Sequence, residues 1–93
     1  MSGEIIRFDH FGNAISNIPI GRFRDFVATG EFMIRLGEME FRNLNKSYYE
    51  NALTCLAGSA GYLEFGVYKG SLASEKGMRK GDRVTVRRQG LSY

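Results

Sequence analysis

The sequence predicts an all-β domain, a small closed antiparallel barrel of six to seven strands with one or two short helical turns. Three observations predict it. Short apolar runs, alternating or continuous, recur along the whole chain. Glycine-containing turn signals separate them at short intervals. Only residues 20–28 carry large apolar side chains (Phe23, Phe26, Val27) at helical spacing. Ninety-three residues fit a single domain over 1–93, and no repeat, linker or low-complexity stretch divides it. So many strands with so little helix argue a barrel.

The elements follow in order. Residues 4–9 open with the apolar pair Ile5-Ile6 and then alternate. Phe11-Gly12-Asn13 turns the chain, because glycine and asparagine tolerate positive φ. Residues 14–18 return as the second arm of a hairpin and stop at Pro19, the one proline of the chain. A short helix is expected over 20–28. Residues 31–36 and 38–41 form a second hairpin around Gly37, and 43–51 is a polar, aromatic loop. Residues 52–57 suit a buried strand, 58–61 break it, and 62–68 resume as a strand. Ser71 caps a helix-like stretch to residue 76. Lys80-Gly81-Asp82 then turns into a last strand over 83–87.

Composition excludes several classes. With 43% hydrophobic and 25% charged residues the chain is globular rather than disordered. Its apolar runs are too short to span a bilayer, and residues 1–4 do not read as a signal peptide. The one cysteine, Cys55, cannot form an internal disulfide, so a cytoplasmic location is expected. One histidine, His10, and one cysteine cannot supply a metal site's usual ligand count. The net charge of +3 gathers late, in Lys76, Arg79, Lys80, Arg83, Arg87 and Arg88. Such a cluster can meet phosphates, but a solvated strand and turn is the preferred reading, and nucleic acid is not expected as a partner.

Three places join special backbone geometry to polar side chains. In Asp9-His10-Phe11-Gly12-Asn13 the plain reading is a turn satisfied by its own Asp and Asn. The functional reading has Asp9 accept hydrogen bonds from a cationic group while Asn13 reads a heterocycle edge. Gly58-Ser59-Ala60-Gly61 is either an ordinary hairpin turn or a loop whose amides approach an anion. Tyr48-Tyr49 is either a lid on the core or a stacking face for a flat ring. No nucleophile with a paired base, no phosphate-binding loop and no paired-cysteine motif occurs.

Two of these places lie in longer stretches that resemble a known family. "EIIRFDHFGNAISNI" resembles the opening of the C-terminal domain of S-adenosylmethionine hydrolases, also called SAM hydroxide adenosyltransferases, whose relatives include fluorinating and chlorinating enzymes. "GSAGYLEFGVYKGSLASEKGMRKGDRV" is similar to a second stretch of that domain, in the same order. The resemblance implies that the chain is the ligand-binding half of an enzyme that converts S-adenosylmethionine and water to adenosine and L-methionine. It implies a pocket shared with the N-terminal domain of a neighbouring subunit in a homotrimer, with no cofactor besides the substrate. Residue by residue, it assigns Asp9 to the methionine ammonium, and Ser59 with the Ala60 backbone to the carboxylate. It assigns Asn13 to the adenine edge, Tyr48 (or Tyr49) to stacking on adenine, and the backbone at Val67 and Lys69 to adenine. Gly58, Tyr68 and Ser71 depart from asparagines in the family pattern. The catalytic groups of the family belong to the N-terminal domain, so this chain alone is expected to be inactive. The choice of water over halide rests on the hydrolase-like Ser59 to Glu64 stretch. Two other classes stand beside this reading: a small basic barrel that binds nucleic acid, and a structural trimerisation module.

Overall fold

Alternation of inward and outward side chains builds most of the strands. The computed structural model describes residues 1–45, 53–67, 71–72 and 77–89. Its elements are β1 (Ser2–Phe8), β2 (Ala14–Pro19), α1 (Ile20–Val27), β3 (Glu31–Leu36), β4 (Met39–Phe41), β5 (Leu53–Ala57), β6 (Tyr62–Val67) and β7 (Arg83–Gln89). The strands pair antiparallel in the order β4-β3-β7-β1-β2-β6-β5 and curl into a nearly closed barrel. The predicted architecture is therefore borne out, with a seam between β4 and β5. There Asn45 N donates to Cys55 O at 2.8 Å. Inside, the Phe41 and Phe65 rings meet at 5.3 Å between centroids. The expected strand 52–57 is present from Leu53, and the helix-like stretch to residue 76 falls largely outside the described residues.

β1 starts earlier than expected. Met1 and Val86 exchange both backbone hydrogen bonds, at 2.9 and 2.7 Å, and Ser2 to Glu4 continue the pairing with β7. The β1–β2 ladder slips by one residue between Ile5 and Arg7, a bulge that leaves the neighbours Ile6, 41% exposed, and Arg7 both facing outward. β2 departs further: Ile15 pairs with Glu64 but Pro19 with Tyr62, so two extra residues lie on the β2 side. Ser16 fills that gap. Its buried hydroxyl donates to Leu63 O at 2.8 Å and accepts from Ile18 N at 3.1 Å, replacing ladder bonds the irregularity removes. Asn17 Oδ1 accepts from Glu4 N at 2.9 Å. The Ser16-Asn17-Ile18 part of the first motif is thus a structural bend.

The core gathers Ile5, Ile18, Ile34, Leu36, Leu63, Phe65, Val84 and Val86. α1 packs Ile20, Phe23 and Val27 onto it, and Phe23 meets Phe32 edge to face at 5.0 Å. Pro19 offers α1 no side-chain cap. The helix instead takes Gly61 O as partner for its first amide, Ile20 N, at 2.9 Å.

Candidate functional site

The β1–β2 turn is organised by one carboxylate. Phe11 N (2.9 Å) and Asn13 N (3.0 Å) donate to Asp9 Oδ1, and Asn13 Nδ2 donates to Asp9 Oδ2 at 3.0 Å. Two backbone bonds close the turn, Asp9 N to Asn13 O at 2.9 Å and Gly12 N to Asp9 O at 3.0 Å. Asp9 thus satisfies the turn, as the plain reading of this motif requires. A carboxylate has about four lone-pair sites, so one acceptor direction is left over. Asn13 is 9% exposed, and its amide orientation is held by Asp9.

Gly12 makes this turn possible in two ways. Its φ is +83°, and a Cβ there would come within 2.7 Å of Ser71 Cβ. Ser71 thereby presses on the turn from the segment that follows β6. Next to Gly12, Phe11 is 74% exposed and meets His10 edge-on at 5.4 Å. Sequence reading treats Phe11 only as part of a turn. Its signal was an aromatic placed among turn-forming polar residues, where burial offers no reason for it.

The β5–β6 loop is the second place. Gly58 N donates to Tyr62 O at 2.9 Å, Gly61 N to Gly58 O at 3.0 Å, and Gly61 has φ +92°. Ser59 and Ala60 are exposed at its tip. The Glu64 side chain folds back over this loop: a Cβ on residue 58 would lie within 2.8 Å of Glu64 Cδ and 3.1 Å of Tyr62 O. The Glu64 carboxyl thus occupies the space left open at Gly58, a position that departs from the family pattern.

Register decides which of these residues share a neighbourhood. Ala14 pairs with Phe65 and Pro19 with Tyr62, so the Asp9–Asn13 turn and the Ser59 loop lie at opposite ends of the β2–β6 ladder. Three residue steps of β6, from Tyr62 to Phe65, separate those ends, a rise of roughly 10 Å. Val67 ends β6 on the Asn13 side, half-buried and paired with Leu53. Asp9, Asn13 and Val67 are thus gathered at one end, with Ser59 and Ala60 at the other. Tyr48, Tyr49, Tyr68 and Lys69 lie outside the described residues.

Nucleophilic chemistry has no support at Cys55. The thiol is buried, and burial first and the Glu64 charge second push its pKa well above the ordinary thiol range. No group of three or more metal-ligating side chains occurs among the described residues. None of their helices is long and apolar enough to cross a membrane.

Residues 3–85 match the family model described as the SAM hydroxide adenosyltransferase C-terminal domain. A crystal structure of an uncharacterized conserved protein from Thermotoga maritima is similar at 28% identity and a TM-score of 0.73, covering 94% of this chain and 35% of that one. A conserved hypothetical protein from Thermus thermophilus is similar at 28% identity and a TM-score of 0.71, over 92% of this chain and 34% of that one. The chain spans about a third of the length of these two relatives. Nothing among curated proteins matches it. With the family model running from β1 into β7, the chain belongs to the SAM hydroxide adenosyltransferase C-terminal domain family.

Proposed function

We propose that the chain supplies half of an S-adenosylmethionine pocket, in an enzyme that cleaves that substrate to adenosine and L-methionine. The observation that carries the reading is the Asp9–Asn13 turn, with the Asn13 amide held in place by Asp9 in a chain that matches the family over residues 3–85. The other half of the pocket comes from the N-terminal domain of a neighbouring subunit, in a trimer located in the cytoplasm.

The reaction places a water oxygen on ribose C5′ while the C5′–S bond breaks. The bonding pair returns to sulfur, the sulfonium becomes the neutral thioether of methionine, and the water proton leaves through groups of the other domain. This half positions the substrate. Asn13 reads the adenine edge, the backbone at Val67 and Lys69 supports it, and Tyr48 stacks on the ring. Exposed Phe11 adds apolar surface beside them. The roughly 10 Å rise between the two turns suits an extended ligand, with its carboxylate on Ser59 and the Ala60 amide. In that pose Asp9 serves the adenine end by orienting Asn13, and the ligand ammonium, carried on the same carbon as the carboxylate, stays at the Ser59 end.

Calorimetric titration with S-adenosylmethionine and with adenosine, in the presence of the family's N-terminal domain, tests this. Asn13→Ala should weaken both ligands. Ser59→Ala should weaken S-adenosylmethionine alone, by ~1.5–3 kcal/mol for a hydrogen bond to a charged group. The chain by itself should release no adenosine. Wild-type affinities for both variants, or adenosine release by the chain alone after repurification, would overturn the assignment.

A further inference from the structure

The outer face of β3 and β7, remote from both turns in the chain, carries a trough lined by three arginines. Val84 and Val86 are buried, so alternation turns Arg83, Thr85 and Arg87 outward. Arg35 pairs with Thr85 and Met33 with Arg87, which brings these β3 side chains to the same face. A hollow of about 340 Å³ is lined by Met33, Arg35, Thr85 and Arg87. A second, of about 660 Å³, shares Arg35 and Thr85 and continues past Arg83 to Met39 and Met78.

Carboxylates are present but unevenly placed. Glu40 pairs with Arg35, Glu4 stands opposite Arg83 on β1, and Glu38 and Asp82 line the larger hollow. The smaller hollow has no acidic lining residue among the described ones.

We propose that this trough binds an extended phosphate chain. Arg83 and Arg87 are four residues apart on one strand, roughly 13 Å, with Arg35 beside the midpoint on the next strand. Cationic groups therefore recur along the trough at roughly 6–7 Å, which suits a linear polyanion better than a single small anion. Guanidinium forks match phosphate oxygens two at a time, and Thr85 adds a hydroxyl. None of the trough's described lining residues is aromatic, so the backbone is read rather than the bases. Two sources share this chemistry, single-stranded nucleic acid and inorganic polyphosphate. The inference does not depend on the S-adenosylmethionine reading.

Fluorescence anisotropy of the full chain with labelled oligothymidylate, competed with inorganic polyphosphate, tests it. Three phosphate contacts should give log affinity against log salt a slope of about −2. Arg83→Glu with Arg87→Glu should weaken binding on the order of tenfold or more. Arg22→Glu with Arg24→Glu, the same charge change on the exposed face of α1, should have a much smaller effect. Circular dichroism checks folding, and the corresponding Gln variants replace any Glu variant that unfolds. Competition by polyphosphate assigns the site to the phosphate chain itself, and its absence, which means that bases are read, would overturn the proposal. No binding of either probe at low salt, or equal losses in both variant pairs, would overturn the proposal.

Discussion

Replacing Asp9 by alanine removes the acceptor for three hydrogen bonds at once. They differ in value. Phe11 N is exposed, and water takes over from the carboxylate at little cost. The amide and side-chain nitrogens of Asn13 are part-buried, on a residue only 9% exposed. Each forms a bond to a charged acceptor, nominally ~1.5–3 kcal/mol. Discounted for partial solvent access, the pair gives an expected loss of about 2–4 kcal/mol. That is a large share of the ~5–15 kcal/mol typical of a folded domain. Asp9→Asn should cost less, because its carbonyl still accepts from the two backbone amides. Its NH2 would face the Asn13 NH2, however, and force one of the two amides to turn over. Urea unfolding followed by far-ultraviolet circular dichroism measures this, since the chain has no tryptophan. The transition midpoint should fall at constant slope. An Asp9→Ala variant within ~0.5 kcal/mol of wild type, the range of ordinary surface changes, would refute the claim that this carboxylate organises the turn.

Two further outcomes follow from the packing. Gly12→Ala meets both a positive φ and Ser71, so it should destabilise by about 1–3 kcal/mol. Adding Ser71→Gly should recover the steric part and leave the backbone part, as read by the same unfolding curves. Native Cys55 should resist a thiol reagent even at pH about 9, where an ordinary thiol with pKa near 8.5 is ionised, and should react quickly once denatured. Its raised pKa also fixes a sign: above the ordinary thiol range the unfolded chain has lost a proton that the native chain keeps. This group therefore lowers stability as pH rises there, and the fall should be smaller in Cys55→Ala. Fast native labelling would contradict the burial on which both expectations rest.

Features written in local pattern were legible before the structure. The turn at Gly12-Asn13, the helix over Ile20–Val27, the hairpin around Gly37 and the strand entering at Arg83 each depend on neighbours in sequence. Features set by distant partners were not. Gly3 weakens any local strand signal, yet β1 extends through it because β7 supplies a partner more than eighty residues away. The bend at Ser16 needs Leu63 O to explain it. Glycine at 58 departs from the motif, and the space it leaves is filled by the Glu64 carboxyl, a neighbour six residues on. The candidate site divides in the same way. Sequence resemblance named Asp9, Asn13 and Ser59, but only the strand register sets Ser59 at the opposite end of a ladder from the other two.

The bond from Ile20 N to Gly61 O ties two events together. A loop that reshapes around a guest must either keep that carbonyl in place or release the first amide of α1, which has no side-chain cap to fall back on. Fraying of the helix start and rearrangement of the Ser59 loop are then one opening reaction. Hydrogen exchange at Ile20 becomes a gauge of loop state, slowing when the loop is occupied and quickening when it is disturbed. A spectroscopist could follow the exposed tip through a backbone proton that lies outside it.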